Sequence, residues 1–136
     1  MSASDSGIIR YQLPGDWTVL AGASDADNDR LSVRLADPED YWFHAQGVSG
    51  SHVILRAKPD EAPGKVTIRQ AAAIAAHHSK ARNARNAQVH YTRARYVKKR
   101  RGSKRGTVEV TRGSVLKVRP DISFATRIRG EVDPDE

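Results

Sequence analysis

Between Ala62 and Val108 the chain carries thirteen Lys or Arg residues and no Asp or Glu, so this segment holds +13 while the remainder holds −6. A segment of one sign repels itself as it compacts, so it has to be spread over a scaffold supplied by the rest of the chain. Such a field is kept for meeting the opposite sign, and the commonest cellular polyanion is nucleic acid. The net charge of +7 on 136 residues is concentrated here, unlike the diffuse charge of a disordered chain.

The basic segment has internal order. Thr67 and Gln70 have the spacing of a capping box, and Ala71 to Ala76, interrupted only by Ile74, favour a helix, which predicts a helix over 68–86. At 100° per residue Ile68, Ala71, Ala72 and Ala75 share a small-residue face suited to close packing on a sheet, while Lys80 points outward. The same wheel turns Ser79 and Arg82 inward, so Arg82 is expected at an overhanging helix end, bound to a carboxylate such as Asp29 or to an RNA phosphate.

Short apolar runs separated by turn residues surround this helix. Ile8–Gln12 and Trp17–Ala21 flank a Pro-Gly turn, and Tyr41–Gln46 and Ser51–Arg56 flank Gly47-Val48-Ser49-Gly50. A three-residue loop in the second pair puts Trp42, His44, His52 and Ile54 on one face, whereas a four-residue loop separates the histidines. Ala87–Tyr91 suits a further strand, and Thr107–Thr111 with Ser114–Val118 reads as a last hairpin around Arg112-Gly113. The polar run from Ser24 to Asp29 caps a short helix through Leu35; a calcium loop from Asp25 would need Gly and Glu where Arg30 and Ala36 stand. The expected fold is α/β in the α+β sense. It is one compact domain, a mixed, mostly antiparallel sheet packed by one long Ala-rich helix and one or two short ones, with 1–7 disordered, 8–120 folded and 121–136 a flexible acidic tail.

Cysteine is absent, which excludes disulfides and thiolate metal sites and fits a reducing, cytoplasmic setting; no apolar run approaches a membrane span. No cofactor or metal is expected. His77 and His78 diverge by 100° on a helix and do not chelate one ion together, and no His-Glu-x-x-His spacing exists. The candidate RNA contacts are Lys80, Arg82, Arg85, Arg93, Arg95, Lys98, Lys99, Arg100, Arg101, Lys104 and Arg105, with Tyr91 interleaved as a stacking surface. A small hydrolase or nuclease built on His44 and His52, with Asp29 or Ser51, is the alternative; the charge favours a non-catalytic RNA binder.

Gly22 with Asn28-Asp29, Trp42-Phe43-His44, Gly50-Ser51-His52-Val53, His78-Ser79-Lys80-Ala81-Arg82, Tyr91-Thr92, Val97-Lys98-Lys99 and Gly102 through Gly106 together resemble, in order, the motif blocks of the NFACT-R domain, the RNA-binding domain of the NFACT proteins of ribosome quality control. The resemblance covers about residues 17–119 and departs at Ser49, where the family often has Pro, and at Ala23-Ser24, where Arg-Asn is usual. It implies a compact α/β domain that contributes to binding transfer RNA and the large ribosomal subunit. It also implies a stand-alone module without the N-terminal domain, helix-hairpin-helix region and coiled coil of the full-length proteins.

Overall fold

Alternation of apolar side chains on the central strands requires cover on both faces of a sheet, and two separate layers supply it. The structure, a computed structural model, describes residues 7–128. Strands β1 (Ile8–Leu13), β2 (Trp17–Gly22), β3 (Tyr41–Ala45), β4 (Val53–Leu55), β5 (Ala87–Arg93), β8 (Ser114–Val118) and β9 (Thr126–Ile128) form one sheet in the order β8-β5-β3-β4-β2-β1-β9. Each of its pairings is antiparallel. Helix α1 (Asp25–Asp29) runs on into a π-helical turn over Arg30–Leu35, and α2 spans Lys65–His77. Strands β6 (Val97–Lys98) and β7 (Glu109–Val110) pair in a small separate ribbon. The domain is thus a mixed α+β fold.

On β2, β3 and β4, Val19, Ala21, Phe43, Val53 and Leu55 point to one face and are covered by Ala71, Ala72, Ile74 and Ala75 of α2. Leu20, Trp42 and Ile54 point to the other face, against Leu31 and Leu35 of the π-helical turn, with Val97, Val108 and Val110 packed alongside. Alanines let α2 sit close to the sheet, and burial of this order of apolar surface is the main stabilising term. The segment after β8 returns over the helix: Ile122, Phe124 and Ala125 pack on the α2 core, and Asp121 N–H donates to the Ala73 carbonyl at 3.3 Å. Ala73 and Ala76 are therefore buried as well, although the helical wheel turns them outward.

Four expectations need correction. The helix begins at Lys65 with Gly64 as N-cap, so Thr67 already lies inside its first turn and forms no capping box. It ends at His77 rather than continuing to residue 86, because Ser79 leaves the helix to make a β-bridge with Gly50. Its hydroxyl donates to the Ala76 carbonyl at 2.7 Å and accepts from Ala81 N–H at 3.0 Å, satisfying groups a continued helix would have used. The last hairpin does not form. The chain changes layers at Arg112-Gly113, so that β7 pairs with β6 while β8 pairs with β5. Gly113 is needed there, since a Cβ would strike the His90 ring. Finally, Thr126–Ile128 pairs with β1 inside the stretch expected to be a flexible tail, and residues 1–6 and 129–136 lie outside the described residues.

Candidate nucleic-acid interface

The register Tyr41↔Leu55, Trp42↔Ile54, Phe43↔Val53 is that of the three-residue loop, so His44 and His52 are neighbours on one face with ring centroids 5.5 Å apart. Trp42 Nε1 donates to Ser32 Oγ at 2.9 Å, and the Ser32 hydroxyl shares a hydrogen bond with His52 Nδ1 at 2.7 Å. His52 N–H donates to Asn28 Oδ1 at 2.9 Å, and the Ser51 hydroxyl donates to the Gly22 carbonyl. Burial and the His44 ring beside it push the His52 imidazole down to about 4, against backbone hydrogen bonds to Asn28 and Gly106 and the charge of Asp29. His44 is also lowered, first by burial. His52 is 3 % exposed and bonded to Ser32, which makes it a structural knot, while His44 beside it is half-buried.

That knot joins α1 to the β3–β4 loop, and the loop is zipped to the end of α2. Ser51 N–H donates to the His78 carbonyl at 2.8 Å and Lys80 N–H to the Ser49 carbonyl at 2.9 Å. Gly50 allows this approach, because a Cβ there would sit 2.7 Å from Ser79 Cβ and 3.1 Å from the His78 carbonyl oxygen. Gly50→Ala is expected to cost about 1–3 kcal/mol, read as a lower melting temperature, because both neighbours are held by hydrogen bonds. An unchanged melting temperature would show that the loop yields freely.

The result is a cleft of about 780 Å³ lined by Gly22, Asn28, Ser49, Gly50, Ser51, His77, His78, Ser79, Lys80 and Arg82. A second hollow of about 470 Å³ shares Asp25, Asn28, Ser49 and Gly50 with it and continues to His44 and Gly106. Together they form a groove from the end of α2 to the β6–β7 loop. Lys80 and Arg82 are exposed on it; the Arg82 guanidinium donates to His77 Nε2 at 3.2 Å and does not reach Asp29. It lies beyond the helix end, so the inward position derived from the wheel does not arise.

The basic loop is more constrained than its sequence suggests. Lys99 Nζ donates to the carbonyls of Lys104 at 2.6 Å and Thr107 at 2.9 Å and is 3.2 Å from Asp29 Oδ2. Arg100 pairs with Glu109 at 2.6 Å. These two cations hold the loop. Lys98, Arg101, Lys104 and Arg105 are exposed, and with Lys80 and Arg85 they have no ion-pair partner among the described residues. Arg93 and Arg95 belong elsewhere: both pair with Glu39, and Arg93 stacks over Tyr41 at 4.1 Å. Tyr91 lies parallel to Phe43 at 5.9 Å and packs on the core. This opposite end of β3 is tied by Asp40, which is 1 % exposed, accepts from Ala57 and Asp37 N–H and pairs with Arg56 at 3.2 Å. The Asp40 and Arg56 pair was not legible as a buried one, since Pro38-Glu39-Asp40 reads as an ordinary turn.

A groove with Lys80 and Arg82 exposed on it, carried on an antiparallel sheet with its helix end pinned to a glycine loop and with a basic loop beyond, defines an α+β domain suited to a polyanion. Residues 8–115 match the family described as the NFACT protein RNA binding domain, and the chain belongs to that family. It is similar to the Rqc2 homolog RqcH of Bacillus subtilis, 36% identical over 120 residues, covering 88% of this chain and 20% of that protein. The RqcH of Streptococcus suis is 34% identical over 106 residues, covering 78% of this chain and 19% of that protein. This chain thus spans about one fifth of the length of those relatives. The solved C-terminal part of the fibronectin/fibrinogen-binding protein from Streptococcus suis superposes with a TM-score of 0.78 at 32% identity, over 85% of this chain and 46% of that one. No helix among the described residues is long and apolar enough to cross a membrane.

Proposed function

We propose that the chain is a non-catalytic RNA-binding module that grips transfer RNA or large-subunit ribosomal RNA in ribosome-associated quality control. The observation that carries this reading is convergence. Gly22, Asn28, Gly50, Ser51, Ser79, Lys80 and Arg82, scattered along the sequence, line one groove; Lys80 and Arg82 are exposed on it without an ion-pair partner among the described residues, and Asp25 is the one acid of its lining. The small residues of its lining leave room for the ribose-phosphate surface of folded RNA, and the cations supply affinity through counterion release.

Titration of labelled transfer RNA and of purified large subunits against rising salt tests it. Five or six phosphate contacts predict a log-log slope of about −4 to −5, and Lys80→Gln with Arg82→Gln is expected to flatten it by roughly 1.5 while leaving the melting temperature unchanged. A slope near zero, or RNA that is cleaved instead of retained, would overturn the reading.

A further inference from the structure

Behind Lys80 and Arg82 the cleft wall is made of two imidazoles that charge-based RNA binding does not use. His77 is the last residue of α2 and His78 its C-cap, with ring centroids 5.1 Å apart at 85°. Since the Arg82 guanidinium has only protons to give, His77 Nε2 accepts from it and is unprotonated. The Tyr11 hydroxyl and His78 Nε2 share a hydrogen bond at 2.7 Å. The negative end of the helix does not oppose an anion strongly here, because the carbonyls of Ala73, Ile74, Ala76 and His78 are all bonded within the protein.

We propose that His77, His78, Lys80 and Arg82 form a phosphate subsite at the α2 end of the groove, and that the RNA phosphate held there brings one solvent proton onto the imidazole pair. The inference rests on the RNA-binding reading and adds to it a ligand position and a proton. The charged surroundings favour the coupling. Facing the rings are Arg82 from the turn after α2, Arg127 from β9 and the Tyr11 hydroxyl from β1, while Asp121, from the segment after β8, opposes them at His77. Ser24 and Asp25 line the facing wall. Burial lowers both rings, and the neighbouring ring and the two arginines lower His78 further, to about 4. A phosphate between Lys80 and Arg82 offsets the part of this lowering that comes from the arginines, and its oxygens give a protonated imidazole the acceptor that burial otherwise denies it.

Proton uptake on binding means that affinity rises as pH falls. Anisotropy titrations of labelled transfer RNA at constant ionic strength, from about pH 7.5 down to 6, are expected to show Kd falling roughly three- to tenfold. His77→Gln with His78→Gln, checked by circular dichroism for an intact fold, is expected to bind with a Kd that no longer follows pH, while Arg82→Gln weakens binding at both ends of the range. A wild-type Kd independent of pH, or full pH dependence retained in the folded double variant, overturns the subsite while leaving RNA binding intact. Absence of RNA binding at every pH overturns both.

Discussion

Replacing His52 by alanine is expected to lower stability by about 3 kcal/mol, a fall in melting temperature of roughly 10 °C, the largest effect of any single change to the groove. The ring is buried among Trp42, His44 and Ser32, so its removal opens a void and leaves the Ser32 hydroxyl without that partner. The sign of the pH dependence follows from the lowered titration of His52, to about 4, and of His78, also to about 4. Between about pH 6.5 and 4 the unfolded chain holds protons on these rings that the folded chain refuses, so stability is complete above this window and is lost as pH falls through it. Each histidine contributes on the order of 3 kcal/mol at most across that span. His52→Gln is expected to give a shallower acid limb than wild type in melting temperature against pH. A limb of unchanged steepness would mean that His52 does not drive acid unfolding.

Local chemistry was legible in the sequence where it acts locally. Ser24 caps α1 as its position suggests, with its hydroxyl accepting from Asp27 N–H at 3.1 Å. The choice between two registers of the β3–β4 hairpin was also visible, although a single residue of loop length decides it. What stayed hidden depends on distant partners. Helix propensity carries an alanine-rich pattern through residue 86, but Ser79 gains a bridge to Gly50, a contact between motif blocks that no local rule contains. The alternating run before Arg112-Gly113 is a real strand whose partner is β6 and not the strand that follows it. Arg93 and Arg95 counted as part of the basic field because their neutralising residue, Glu39, lies far upstream. The groove itself was legible only as an ordered set of motif blocks, since their meeting in space is a property of the sheet order.

Two adjacent lysines in the basic loop are expected to behave in opposite ways. Lys98 is exposed and has no ion-pair partner among the described residues, whereas the Lys99 side chain is 24% exposed and spans two carbonyls and Asp29. Replacing Lys98, Arg101, Lys104 and Arg105 together by Gln removes charge without removing any of these contacts. This variant should weaken transfer-RNA binding by about 100-fold near physiological salt and flatten the salt slope by roughly 3, with stability held within about 0.5 kcal/mol. Lys99→Gln should do the reverse. Loss of a charged donor to two carbonyls and a carboxylate costs about 1–3 kcal/mol, while the salt slope, set by cations elsewhere on the loop, stays near wild type. Gly102 and Gly106, with φ of 78° and 84°, bend the loop so that its carbonyls turn in toward Lys99, which leaves the four exposed side chains to face solvent. If Lys99→Gln leaves the melting temperature untouched and flattens the slope by about the share of one contact, Lys99 is a phosphate ligand and the loop is held by something else. If the fourfold variant keeps the wild-type slope, the loop lies off the path of the RNA and affinity resides at the α2 end of the groove alone.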